Sequence, residues 1–294
     1  MNFLISGGTG LIGSALCRRL LADQHQVVIL SRRPERVKPP MLGVKACRDI
    51  PADMNVDVVI NLAGEAIADK RWSEAQKKEL LNSRLQITQE VLSYLQGLTQ
   101  KPKLLISGSA IGYYGTGIED HEVDESFSGD NSFSSQLCQQ WEEEALKANA
   151  LGIRCCLLRT GIVLAKGGAL SKMLPAFKWG LGGRLGSGQQ WMPWIHLDDL
   201  LGIILHCIGH DQLSGAINGV SPWPVRNEEF TNVLAKSLSR PSLLPLPACM
   251  LKLLMGQMAE ELLLSGKKVM PVKALTSGYD FQYKCLDDAL LSIL

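Results

Sequence analysis

Along the first 160 residues, short apolar runs alternate with longer amphipathic stretches. Runs at 2–6, 26–30, 57–62, 103–107 and 153–158 have the length of strands. The intervening segments 11–22, 73–96 and 133–150 repeat their apolar positions at helical spacing. DVVINLAG and KLLISGSA are nearly continuous in apolar residues, as parallel strands buried on both faces require. The pattern predicts an α/β fold: a Rossmann-type doubly wound parallel sheet that binds its ligand where the strands end at their carboxyl edge.

After about residue 165 the pattern changes to glycine-rich loops, GGALSKM and WGLGGRLGSGQQW, and then to a helix at 198–208. Proline punctuation in SPWPVRN and RPSLLPLP precedes helical patterns at 227–239 and 248–264. The predicted division is a nucleotide-binding domain over 1–165, rejoined by 190–212. A smaller, mainly helical C-terminal lobe is built from 166–189 and 213–294 and covers the sheet edge.

At 294 residues, 46% of them hydrophobic, the chain is long enough to bury such a core. Thirty basic residues against twenty-nine acidic ones leave a net charge of +1. That balance gives no general electrostatic reason to expect nucleic acid or an anionic membrane as partner, and turns the search toward a small-molecule ligand. Eight cysteines without a C-x-x-C pair argue against zinc knuckles and secreted disulfide frameworks. A reduced, cytoplasmic protein without an export signal or membrane span is the expectation. His206 and His210 have i, i+4 spacing but lack the glutamate of an H-E-x-x-H site, so no metal is expected.

The segment FLISGGTGLIGSALCRRLL places Gly7, Gly10 and Gly13 between a strand and an amphipathic helix. Glycine lets backbone N–H groups approach a pyrophosphate, and the helix N-terminus adds partial positive charge. Gly7, Thr9, Gly10, Leu11, Ile12 and Gly13 are therefore candidate dinucleotide contacts. The next strand ends in Ser31-Arg32-Arg33 rather than in the carboxylate that accepts from an NAD ribose. A hydroxyl and two guanidinium groups suit a 2′-phosphate and predict NADP(H). Solvated arginines at a strand end are the alternative. Asn61, Leu62, Ala63 and Gly64, after the strand at 57–62, are expected to pass over the cofactor, and Ser107 joins the same set.

With GGTGLIG, SRR, NLAG, SGSAIGYYG, RTGIVL and WIHLDDL, the chain resembles the extended short-chain dehydrogenase/reductases. Within them it is similar to the uncharacterised NAD(P)-dependent epimerase branch grouped with nucleoside-diphosphate-sugar epimerases. LLMGQMAEELLLSGKKVMPVKAL resembles the helical lobe peculiar to that branch. The resemblance implies an active-site Ser at Ser109 and a homodimer through the helices at 73–96 and 133–150. It also implies a Tyr, and a Lys four residues later that lowers the phenol pKa. In SFSSQLCQQWE those two slots fall on Ser134 and Cys138, so the usual proton relay is absent. An unaided serine hydroxyl is a far weaker base, and a thiol cannot supply an ammonium's charge.

Tyr113 and Tyr114, just beyond Ser109, are candidate proton donors; packing beneath the sheet edge is their structural alternative. Arg84 is a candidate to hold an anionic substrate or to restore the missing lysine charge, with a solvated helix face as the alternative. Arg184, Trp191, Trp194 and His196 are candidate substrate contacts, suited to a planar anionic ligand. Two functions follow from different classes. One is an NADP(H)-dependent oxidoreductase or epimerase of atypical mechanism, acting on a small carbonyl or sugar-nucleotide-like compound. The other is a non-catalytic NADP(H) sensor that kept the binding site and lost the relay.

Overall fold

A computed structural model describes residues 1–51, 54–242 and 244–294. In chain order its elements begin with β1 (Asn2–Ser6), α1 (Leu11–Ala22), β2 (Gln26–Leu30), β3 (Leu42–Val44) and β4 (Val58–Asn61). They continue with α2 (Glu74–Gly97), β5 (Leu104–Ala110), β6 (Glu122–Val123), α3 (Phe133–Leu146), β7 (Arg154–Thr160), β8 (Ile162–Leu164) and α4 (Gly168–Lys178). Next come β9 (Trp191–Met192), β10 (Trp194–His196), α5 (Leu197–Gly209), β11 (Gly215–Gly219), β12 (Val225–Arg226) and α6 (Asn227–Ser237). The chain closes with α7 (Ala248–Met255), α8 (Gln257–Leu262), β13 (Lys268–Val269), α9 (Val272–Thr276) and α10 (Leu286–Leu291).

Seven strands form one sheet in the order β11-β7-β5-β4-β1-β2-β3, every neighbouring pair parallel. Alternation decides which side chain faces which helix layer. Phe3, Ile5, Val58 and Ile60 meet Leu16, Leu20, Leu200 and Ile204 of α1 and α5, while Leu4, Val59 and Leu105 meet Val91, Leu95 and Ala145 of α2 and α3. The strand order reverses at β1, with β2 on one side and β4 on the other, and this is where an open α/β sheet forms its crevice.

The C-terminal part adds two further cores. Phe230 and Leu234 of α6 pack with Trp194, Ala289 and Leu290. Met258 of α8 packs on Trp72, Leu80, Leu137 and Cys138, seating α7–α8 across the starts of α2 and α3.

Several expectations need correction. Residues 215–219 are the outermost strand of the main sheet and not part of the lobe; GAING offers too little apolar alternation to announce a strand. GGALSKM, residues 167–173, read as loop from its glycines, forms the start of the helix Gly168–Lys178, with Gly167 as its cap and Gly168 at φ +58°. The pattern at 248–264 is two helices parted by Gly256 at φ +62°. The helix at 133–150 stops at Leu146, and a 3-10 turn over Lys147–Leu151 follows it. Among the described residues no helix is long and apolar enough to cross a membrane.

Candidate functional site

The loop between β1 and α1 is shaped for close approach. Gly7 sits at φ +71°, and a Cβ there would lie 2.7 Å from the Leu62 carbonyl carbon and 2.9 Å from the Ala63 nitrogen. A Cβ on Gly13 would come within 2.3 Å of the Gly7 oxygen. These glycines let the loop, the start of α1 and the segment after β4 touch backbone to backbone. Gly10 caps α1 without any side-chain hydrogen bond, so the first-turn N–H groups have no intrahelical acceptor and face outward. Thr9 and Gly10 are exposed, Leu11 and Ile12 half-buried. Such a cradle of donors at a helix N-terminus fits a pyrophosphate.

At the carboxyl end of β2, the Ser31 hydroxyl accepts the Arg33 N–H at 3.1 Å and keeps its own hydrogen to donate. Arg32 and Arg33 are exposed and form no ion pair among the described residues. The set fits a phosphate on the adenosine side of a dinucleotide.

On the other side of β1, two expected contacts are taken up by the fold. Asn61 is fully buried, accepts from Ser6 Oγ and donates to Thr88 at 2.9 Å; with both ends of its amide engaged, it ties β4 to β1 and α2. Ser107 is also fully buried, in register with Asn61. Leu62, Ala63 and the exposed Gly64 remain at the crevice.

At the end of β5, Ser109 donates to Glu142 Oε1 at 2.6 Å. Arg159 from β7 grips the same carboxylate in bidentate fashion, Nε to Oε1 and Nη2 to Oε2, both at 2.8 Å, and the pair is buried. Burial works against the arginine charge, but the hydrogen bonds and charge of Glu142 hold its pKa above the usual value. Ser109 therefore offers lone pairs, not its hydrogen, to a ligand.

The two tyrosines separate. Tyr114 is buried, donates to Asn218 at 2.7 Å and accepts from Arg159 at 3.0 Å, and burial pushes its phenol up to about 12. It holds the sheet edge and is withdrawn from any substrate. Tyr113 is half-buried, lies face-on to the Arg159 guanidinium at 3.3 Å, and its hydroxyl has no protein partner among the described residues.

The two replaced slots serve packing. Ser134 is buried and its backbone N–H, with that of Phe133, donates to the Glu261 carboxylate of α8. Cys138 lies in the apolar cluster with Met258, and burial together with the Glu142 charge pushes its thiol up to about 11, leaving it protonated near neutral pH.

Arg84 of α2 lies beside these groups. Its guanidinium stacks 5.2 Å from the Trp141 ring, and a Cβ on Gly64 would come within 3.0 Å of its Cζ. It is buried, and burial lowers its pKa.

The proposed substrate strip is largely structural. Trp194 is fully buried and donates to the Trp223 carbonyl at 2.9 Å. His196 caps α5 by accepting from the Asp198 N–H, contacts Ser292 at 3.2 Å and stacks on Tyr283. Arg184 is exposed and paired with Glu228. Trp191 bonds Asp120 and lies under Arg226, leaving its half-buried face at the surface. His206 and His210 stack on each other, and His206 bonds Ser277.

Sequence reasoning missed the Glu142–Arg159 pair and Glu261. Arg159 had a signal: it follows the apolar run CCLL inside the strand RCCLLRT, and a buried arginine in a doubly covered sheet needs a carboxylate. Glu261 had none, because its partners lie 127 and 128 residues away.

Residues 3–218 match the model of the NAD dependent epimerase/dehydratase family, and residues 246–293 match a domain of unknown function, DUF1731. An Arabidopsis thaliana relative, the chloroplastic SDR39U1 homolog of the epimerase family, is 39% identical over all of this chain and 87% of its own. The human epimerase family protein SDR39U1 is 36% identical over the whole of both chains. A crystal structure of its isoform 2 with NADPH superposes with a TM-score of 0.90, covering 100% of this chain and 99% of that one. A UDP-glucuronic acid 4-epimerase from Bacillus cereus, at 16% identity and a TM-score of 0.78, covers 100% and 97% and shares the fold alone. A family model spanning most of the sheet, with end-to-end relatives above 30% identity, makes this chain a member of the NAD dependent epimerase/dehydratase family.

Proposed function

We propose that the chain binds NADP(H) along the crevice at β1 and exchanges hydride with a small carbonyl or sugar-nucleotide-like substrate. The observation that carries the cofactor half is the uncapped α1 N-terminus together with the Ser31-Arg32-Arg33 cluster, whose guanidinium groups form no ion pair among the described residues. The NADPH bound by the human relative supports the same reading. When bound, the nicotinamide supplies or accepts the hydride. Ser109, its hydrogen held by Glu142, accepts from a substrate hydroxyl and orients it. Tyr113, whose hydroxyl has no protein partner among the described residues, has the phenol suited to giving or taking the proton.

The proposal extends to a cytoplasmic setting, supported by eight free thiols, and to the homodimer that the family resemblance implies. A sensor without turnover is the second reading, and the sealed, protonated Cys138 favours it.

Titration of the purified chain followed by nicotinamide fluorescence tests the cofactor. NADPH is expected to bind at least about tenfold tighter than NADH, the worth of one charge-assisted hydrogen bond. Replacing Arg32 and Arg33 by Ala should erase the difference. Equal affinities in the wild type would remove the NADP(H) assignment, and a broad carbonyl panel without NADPH oxidation would leave the sensor.

A further inference from the structure

The side chains that surround Tyr113 are of one chemical kind. Tyr113 and Ala110, at the end of β5, pack on the apolar cluster of Trp72, Leu80, Leu137, Cys138 and Met258. The same cluster carries Ile67 from the segment after β4, Phe133 from the start of α3, Met255 from α7 and Leu262 from α8. All of these added side chains are half-buried, as Tyr113 is, so each keeps a face that the fold leaves uncovered. The sheet edge and the C-terminal helices thus meet the phenol with hydrocarbon.

Polar groups near this wall are already engaged. The Trp72 indole donates to the Ile67 carbonyl at 2.9 Å, Glu142 is held by Ser109 and Arg159, and Glu261 accepts from the first N–H groups of α3. The cations of the lobe are matched as well: Arg184 faces Glu228, Arg226 faces Asp120, Lys267 faces Glu119 and Lys268 faces Glu122. A diphosphate arriving among them would have to displace a carboxylate, and one laid on the wall would lose its hydration without a partner. Arg84 lies against Gly64, whose segment meets the dinucleotide loop, and Arg71 beside Gly256 is exposed to water, where its charge is weakened.

We propose that the substrate brought to Tyr113 is an uncharged carbonyl compound, or the matching alcohol, whose apolar body of several carbons lies on Ile67, Phe133, Met255 and Leu262. This rests on the hydride reading above and chooses between its two substrate classes, against the nucleoside-diphosphate sugar. The carbonyl carbon receives a hydride from NADPH and its oxygen a proton from Tyr113, giving an alcohol and NADP⁺. The wall holds the remainder of the molecule, and each methylene fully buried on it is worth about fourfold in affinity.

Calorimetric titration of the NADP⁺-loaded chain, in which a ketone has no hydride to receive, tests the class with 2-heptanone, 2-nonanone and UDP-glucose. The expected ranking puts 2-nonanone about tenfold tighter than 2-heptanone and at least about tenfold tighter than UDP-glucose. Met255→Ser should weaken 2-nonanone about tenfold with NADP⁺ affinity and melting temperature kept, and Met255→Leu should hold it within about twofold. UDP-glucose binding tighter than either ketone overturns the proposal and leaves hydride exchange standing. So do equal affinities for the two ketones, no ketone binding to a chain that holds NADP⁺, or a Met255→Ser protein that binds 2-nonanone as the wild type does. Should Met255→Ser fail to fold, the ranking in the wild type decides alone. Binding of 2-nonanone in that ranking without oxidation of NADPH removes the hydride reading and keeps the ligand class. A wild type that binds neither NADP⁺ nor NADPH overturns the cofactor reading instead, and the same probes titrated into the ligand-free chain then decide the wall by themselves.

Discussion

At the scale of single residues, neighbouring side chains of one type have opposite duties. Tyr114 engages its hydroxyl with Asn218 and Arg159 inside the sheet edge, whereas the Tyr113 hydroxyl has no partner among the described residues. Tyr114→Phe should leave the Asn218 oxygen and one arginine N–H unpaired, costing about 1–3 kcal/mol in urea denaturation. Tyr113→Phe should change stability by no more than about 0.5 kcal/mol. In an assay of NADPH oxidation the order reverses: Tyr113→Phe lowers turnover by about a hundredfold or more if its phenol handles the proton. A Tyr113→Phe protein that keeps full turnover would exclude that role.

At the scale of elements, α5 shows how a residue of apparent chemistry can serve a helix end. His196 caps α5 through Nδ1, which requires a neutral ring with its proton on Nε2, toward Ser292. Burial lowers the His196 pKa, against the pull of Asp198 and Asp199. The unfolded chain therefore takes up the proton first. The stabilising contribution is present in full above the ordinary histidine value of about 6.5 and is lost as pH falls from there through the folded-state pKa. His196→Asn keeps a capping acceptor without a titrating ring, so its urea midpoint should fall less on acidification than that of the wild type. His206, shifted down for the same reason, leaves a residual dependence in both proteins. An equal acid loss in variant and wild type would remove His196 as a cause. Legibility divides at the same scale. The strands at 2–6 and 26–30 and the helix at 11–22 were readable to the residue, because burial on fixed faces writes itself into local periodicity. The glycine cradle and Ser31-Arg32-Arg33 were readable for the same reason, being contiguous in sequence. The surroundings of Asn61, Trp194 and His196 were not legible, because each bonds a group far along the chain, and only the fold decides whether a polar group faces a crevice or a partner.

At the scale of the whole molecule, the segment SFSSQLCQQWE gains a purpose in place of the missing relay. Glu261 of α8 accepts the Phe133 and Ser134 N–H groups at 3.2 and 2.8 Å, closing the donor end of α3 from outside the Rossmann sheet. One turn further on, Leu137 and Cys138 join the apolar seam with Met258. The region that resembles a separate domain is thus bolted to the helix whose family role was chemical. A carboxylate at a helix N-terminus also gains from the macrodipole, so Glu261→Ala should cost about 1–2 kcal/mol. Glu261→Gln, which keeps an acceptor and loses the charge, should cost less. Stability alone would not distinguish a cap from ordinary packing, so amide hydrogen exchange is the sharper measure. Faster exchange at Phe133 and Ser134, spreading into residues 257–262, is expected if Glu261 couples the lobe to α3. Exchange unchanged at both amides in a folded Glu261→Ala protein would show that the apolar seam around Met258 holds the lobe without it.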